Sequence, residues 1–369
     1  MTVERDIAGF ALLFLTGIYV SSLINFPESP VFMSFMIIAA AILMACIYFS
    51  HCRKKPEAIV PLTVILVFIS GVICFRTAEI AAISSLDTKN LPEQLAGAMC
   101  AKVRAAIDSL PFENPHTGAM VKALLTGDRT SLTQEITDIF RGSGAAHILA
   151  LSGLHLGIIY GMISRITAFS GNSPQAKAVR ATLNITSCGF YTLATGAGES
   201  IVRAFLFIFL NETARLTGRE KRLRVILPSA LIIQLTTDPL AIRSVSFQMS
   251  YAAMAGIAYI HPLLEDFWPG TDGRKATFRE PFRKIWSMVS MTVSCQLTTA
   301  PIAWHFFRTF PHNFLMSNLL ALPISGIFIP ASFTTTALFM MGICPEFMIR
   351  ITEYLSNLLI FCLRITASM

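Results

Sequence analysis

The sequence predicts an all-α polytopic integral membrane protein with about ten or eleven transmembrane helices, some broken by proline or glycine. Three observations carry that expectation. Charged residues make up only 14% of the chain, against about a quarter in a soluble globular domain. Hydrophobic residues reach 54% and the mean hydropathy is +0.62. Apolar runs of about 20 residues, the length that crosses a hydrocarbon core, recur from one end of the chain to the other. A soluble chain of 369 residues could not cover that much apolar surface with so few charges.

Taken in order, the candidate spans are residues 7–26, 31–50, 58–75, 145–168, 178–197, 200–216, 223–237, 244–262, 285–307, 313–340 and 346–366. The first is too long for a signal peptide and lacks a small-residue cleavage site, so it reads as a retained anchor. Residues 200–216 are short and 313–340 contain Pro323 and Pro330, which makes both candidates for re-entrant or discontinuous helices. Trp268, Trp286 and Trp304 fall near span ends, where indole rings anchor at the interface.

The net charge of +7 then records topology, because short cytoplasmic loops collect Lys and Arg. Basic clusters occur at Arg53 to Lys55, at Lys177 and Arg180, at Arg215 to Arg224 and at Arg274 to Lys284. Placing these four loops in the cytoplasm puts the N-terminus there too. Asn25 to Ser29, residues 76–143, Asp238 to Ser244 and Arg308 to His312 then lie outside. The expected organisation is a three-span membrane region over 1–75, a short external and mainly helical segment over 76–143, and a larger membrane domain over 144–369.

Within 76–143, Leu95, Met99, Val103, Ala106 and Leu110 recur at helical spacing and predict an amphipathic helix over 92–110. Pro111 to Pro115 ends it. A Gly127-Asp128-Arg129 turn follows, and Ser131 is placed to cap a short helix, Leu132 to Arg141.

Several kinds of chemistry are absent. Eight cysteines contain no CxxC pair, so neither a zinc site nor a redox motif is indicated. There is no Walker A loop and hence no built-in ATPase. No metal-ligating histidine–aspartate cluster occurs, and no cofactor or metal is expected.

The richest segment is Gly144 to Arg165, GAAHILALSGLHLGIIYGMISR. On one continuous helix His147 and His155 would lie about 80° apart, with Ser152 flanking their face. Ionisable groups inside a span are costly and by default suggest function; the plainer reading is that they bond neighbouring helices. Gly153, Gly157 and Gly161 repeat every fourth residue, a ridge for close helix packing. Ser152 and His155 could touch as nucleophile and base, but oxyanion donors and an orienting acid are unidentified. Asp128 could supply the acid only if the preceding loop folds back.

Glu199 and Arg203 stand in the order that favours a helical ion pair. Arg203 could instead face a passage and meet phosphate, and Arg129 could do the same at an entrance. Later spans carry Gln248, Gln296, Asn313 and Asn318, which need partners or water more than Ser and Thr do. Pro301, Pro323 and Pro330 break helices that membranes tolerate only where protein or a cavity satisfies the freed backbone. A polar interior is implied.

The order of motifs resembles the membrane domain of the ComEC-type competence proteins. The matching pieces are ALLTGDRTSL (123–132), FRGSGAAHILALSGLHLG (140–157), GESIVRAFL (198–206), DPLAIRSVSFQMSYAAMAGI (238–257), QLTTAPIAWHFF (296–307) and NLLALPISG (318–326). The resemblance implies an inner-membrane channel, not an enzyme, that conducts single-stranded DNA into the cytoplasm during natural transformation. It implies a DNA path touching Asp128, Arg129, His147, Ser152, His155, Arg203, Gln248, Gln296 and Asn318.

The implied partners are single-stranded DNA, the bilayer, an external DNA receptor and a separate cytoplasmic translocase or nuclease, with a homo-oligomer possible. Related proteins often carry an external oligonucleotide-binding-type β domain and a metallo-β-lactamase-like domain. Residues 76–117 are too few and too helical for the first, and the second is not expected in this sequence, so DNA degradation is not assigned to it. The alternatives left open are a transporter of a small anionic solute and an intramembrane hydrolase using Ser152 and His155.

Overall fold

The computed structural model describes residues 2–24, 30–53, 56–84, 91–149, 151–171, 173–219, 222–267, 276–308 and 314–367. Trp268, Asn313, Lys54, Lys55 and the Asn25 to Ser29 loop lie outside the described residues.

The regular elements are all helical among the described residues. They are α1 (Thr2–Leu23), α2 (Pro30–Cys52), α3 (Pro56–Ser84), α4 (Leu91–Asp108), α5 (Pro115–Thr126), α6 (Gln134–Gly142), α7 (Ala146–Leu149) and α8 (Gly153–Ile166). They continue with α9 (Pro174–Ala194), α10 (Glu199–Leu216), α11 (Leu223–Thr237), α12 (Val245–Ala255), α13 (His261–Glu265), α14 (Ala276–Phe307), α15 (Phe314–Met340) and α16 (Glu346–Ala367). The fold is all-α, and the chain is a membrane protein. By length and apolarity, Glu4–Leu23, Val31–Cys52, Glu57–Ala82 and Phe314–Met340 can each cross a bilayer, while Gly153–Phe169 and Leu223–Thr237 are apolar but shorter.

The chain forms two compact units, residues 1–88 with 221–251 and residues 89–220 with 252–369. This division differs from the expected one. The stretch 221–251 belongs with the N-terminal helices, and α4 to α6 belong with the later helices instead of forming a separate piece.

In the first unit α1 and α3 meet backbone to backbone. A Cβ on Gly71 would lie 2.5 Å from the Phe14 carbonyl oxygen, and one on Gly17 would run into that of Phe68. Lipid is as apolar as the helices, so close van der Waals packing through small residues, not hydrophobic burial, holds such a pair. Around it Phe14, Ile18, Phe75, Leu235, Ile242 and Phe247 form one core. Gln248 donates to the Ile242 carbonyl at 2.8 Å and so satisfies the 3₁₀ turn Pro239–Arg243.

The second unit is built on α5. Asn114 caps it by accepting from the His116 N–H at 2.9 Å, Pro115 starts it, and Gly127 ends it in the left-handed region. Nearly every side chain of α5 is buried. Met120, Val121 and Leu124 pack with Phe140, Ile148, Phe328 and Leu359. Within the stretch expected to be external, α5 is thus a packed helix: Ala119, Met120, Val121, Ala123, Leu124 and Leu125 are covered by protein, and the one charge among them, Lys122, pairs with Asp108.

Two local expectations also shift. The amphipathic helix forms, but Leu95 and Met99 are 60% and 44% exposed while Ala96, Cys100, Ile107 and Leu110 are buried. The small Ala96 and Cys100 let α4 approach its neighbours more closely than Leu95 would. The cap of α6 is Thr133, whose hydroxyl accepts from the Ile136 N–H at 3.4 Å. Ser131 instead meets the Lys122 ammonium at 3.4 Å. Finally, α10, α14 and α15 each run through without interruption, the last past both Pro323 and Pro330.

Candidate functional site

The segment expected as one span over 145–168 is interrupted. The short α7 ends at Leu149, Leu151 and Ser152 are non-helical, and α8 starts at Gly153. The reckoning that put His147 and His155 on one helical face is therefore corrected, since no single helix carries both. His147 is exposed on α7, whereas His155 is fully buried in the first turn of α8.

Ser152 and His155 do meet, as a helix cap. The Ser152 N–H donates to His155 Nδ1 at 3.3 Å, and Ser152 Oγ lies 3.3 Å from the same atom. With Nδ1 accepting, the proton of a neutral imidazole sits on Nε2. That Nε2 is buried with no partner among the described residues.

The neighbouring loop folds back onto the interruption. A Cβ on Gly127 (φ 76°) would lie 2.6 Å from Leu151 Cδ1, so the Gly127-Asp128-Arg129 turn is seated against it. Asp128 is nevertheless committed within its own turn. Its carboxylate accepts from the Thr130 hydroxyl at 2.6 Å and from the Thr130 N–H at 3.1 Å, with Arg104 at 3.8 Å. The two Thr130 bonds hold this carboxyl below its ordinary range, helped by the charges of Arg104 and Lys122. Arg129 is exposed beside it. The acid that a Ser152–His155 hydrolase needs is thus engaged elsewhere.

On the other side of the interruption stands Arg203, only 7% exposed on α10. Its Nη2 donates to Ser200 Oγ at 3.3 Å and would lie 3.9 Å from a Cβ on Gly153. A buried guanidinium therefore adjoins the N-terminus of α8, where backbone N–H groups and the helix dipole already favour an anion. Gln296 on α14 is half-buried, and Asn318 on α15 has a buried Oδ1 with no partner among the described residues. Gln248 belongs to the other compact unit.

The glycine ridge also departs from expectation. A Cβ on Gly153 would lie 3.5 Å from that of Ala204, but one on Gly157 or Gly161 would meet nothing within 4 Å among the described residues. Instead of a close helix contact they line a cavity of about 450 Å³, with Leu154, Ile158, Met162 and Arg165 of α8 and Gly326 and Pro330 of α15.

A group missed in the sequence braces α8 alongside this cleft. Glu212 of α10 is fully buried. It accepts from the Tyr160 hydroxyl and from Asn184 Nδ2 at 3.3 Å, and it pairs with Arg215 at 3.4 Å. Asn184 also donates to Ser164 Oγ at 3.0 Å, so α8, α9 and α10 share one network. The signal was available, because Glu212 falls within the expected span 200–216 and an ionisable group inside a span is itself a warning.

Fold and site together define a polytopic all-α membrane protein built around an interrupted helix whose N-terminus faces a buried arginine. The competence-protein family profile matches residues 124–369, and this chain belongs to that family. It is 23% identical over 209 residues to ComE operon protein 3 of Bacillus subtilis (strain 168), covering 57% of this chain and 25% of that protein. It is 25% identical over 210 residues to the uncharacterized protein YcaI of Escherichia coli (strain K12), covering 56% of this chain and 27% of that one. The chain thus spans about a quarter of the length of these curated relatives. No solved structure matches it.

Proposed function

We propose that this protein is a multi-pass channel of the cytoplasmic membrane, with its N-terminus in the cytoplasm, that conducts single-stranded DNA inward during natural transformation. Membership of the competence family supports a role in DNA uptake, and the loop charges support the orientation.

The observation that carries the reading is the interruption at Leu151–Ser152 beside Arg203. The 14 residues of α8 rise about 21 Å, less than the roughly 30 Å of a hydrocarbon core. Its N-terminus therefore opens at membrane depth, where irregular backbone is tolerated only in protein or beside a wet path. Half-helix N-termini at that depth serve anionic groups, and a phosphodiester backbone supplies them in series. His155 Nε2–H and Arg203 are the donors that would meet phosphate oxygens. Asp128, Arg129, His147, Ser152, Gln296 and Asn318 would line the approach.

No catalytic step is assigned to Ser152, whose contact with His155 is a cap. The strand would be delivered by an external receptor and drawn in by a separate cytoplasmic translocase, and assembly into a homo-oligomer is compatible with the reading. Transport of a small anionic solute draws on the same helix terminus and guanidinium.

The test is uptake of labelled DNA in cells carrying Arg203→Ala or His155→Ala. Cytoplasmic label should fall about a hundredfold, as expected when one charged contact is lost, while surface-bound DNA stays unchanged. Normal transformation of a deletion strain sinks the proposal. Anion uptake into proteoliposomes without DNA would favour the solute reading.

A further inference from the structure

We propose that the glycine-walled cleft between α8 and α15 holds one acyl chain of an anionic glycerophospholipid, whose phosphate meets Arg165. The inference does not rest on the channel reading. It rests on the shape, lining and single charge of the cleft.

The cleft follows α8 from Gly153 to Arg165. Twelve residues of helix rise about 18 Å, close to the roughly 15 Å depth of one leaflet of hydrocarbon. An extended chain of methylenes has that length. The absence of Cβ atoms at Gly157, Gly161 and Gly326, where a Cβ would meet nothing within 4 Å among the described residues, gives the cleft its smooth floor.

Its lining selects among occupants. Leu154, Ile158, Met162 and Pro330 offer no side-chain hydrogen bonds, so this wall favours an apolar occupant over a polar one. A nucleic-acid strand needs aromatic platforms and a cationic groove along its length; among the described residues the cleft is lined by no aromatic side chain and by one cation. That cation is at one end. Arg165 is exposed in the last turn of α8, one leaflet's depth along the helix from Gly153. An apolar groove one leaflet deep with a guanidinium at its mouth complements a lipid carrying negative charge on its headgroup.

Purified protein in nanodiscs is labelled with phosphatidylglycerol or phosphatidylcholine carrying a photoactivatable acyl chain, and the adducts are mapped by mass spectrometry. Adducts should concentrate on Leu154, Ile158 and Met162. The double substitution Gly157→Leu with Gly161→Leu fills the cleft and should reduce them about tenfold, whereas Gly97→Leu on the outer face of α4 should not. Arg165→Gln, at an exposed position that does not threaten folding, should cut the preference for phosphatidylglycerol about fivefold. Labelling of α8 that is unaffected by filling the cleft overturns the proposal. So does equal labelling by both lipids in the unaltered protein, or a crosslink through α8 between two copies of the chain. Lipid adducts are read without DNA, so failure here leaves the uptake experiment untouched.

Discussion

Two glycine-bearing helix faces in this molecule do opposite things. Where α1 crosses α3, Gly17 and Gly71 touch through their backbones, and a Cβ on either would strike a main-chain carbonyl. On α8, Gly157 and Gly161 sit in a regular four-residue repeat yet face an open cleft. The difference teaches that a small-residue repeat permits close packing without causing it. The partner decides. Across from Gly17 stands another glycine, whereas the cleft is bounded by Pro330 and by side chains from both helices.

The contrast can be broken most forcefully at the tight crossing. Gly71→Leu should destabilise the protein by about 3 kcal/mol, because the intruding side chain must push two backbones apart. Unfolding by denaturing detergent, followed by circular dichroism, measures it; native stability in this variant would dissolve the comparison.

The cleft predicts a different dependence. An open face needs support from the side, and Glu212 gives it by joining Tyr160, Asn184 and Arg215. Glu212→Ala leaves buried donors without an acceptor and should cost about 2 kcal/mol. Hydrogen exchange should quicken across 153–166 before it does elsewhere in the second unit. Uniform quickening would mean that the network does not brace α8 in particular.

At the floor of the cleft the sign reverses. The added methyl of Gly157→Ala meets no atom within 4 Å among the described residues, so the usual penalty of helical glycine is relieved and stability should rise by about 0.5–1 kcal/mol. A loss of stability there would show that the cleft closes in solution.

The smallest effect is at the loop seated against the interruption. Asp128 is held below its ordinary carboxyl range by Thr130. Its contribution is therefore fully present above the unfolded value of about 3.9 and is lost as pH falls through the lower folded value. Asp128→Asn should flatten this acid limb of the stability profile, and an unchanged limb would assign it to other carboxylates.

Much of the fold was legible because period and composition act locally. Each of the eleven expected spans falls on helical structure among the described residues, and four of the helices are long and apolar enough to cross a bilayer, where an apolar run must satisfy its own backbone. The family was legible in blocks such as SGLHLG and FQMSYAA. The candidate site was less so. The residues Ser152, His155 and Arg203 were named from sequence, yet the interruption that joins them was not, because an apolar run carries no mark of where a helix restarts. Glu212 lay within an expected span, but its bonds to Tyr160 and Asn184 on two other helices could not be read from spacing.

By itself, then, the sequence determined that the chain is helical, membrane-bound and a competence relative, because hydropathy and motif order are properties of contiguous residues. Tertiary structure alone decided which glycines touch and that Ser152 begins a helix. It also decided that Arg203 stands at that helix's N-terminus. Those outcomes depend on which side chains face each other across a packed interface, and sequence spacing does not encode the partner.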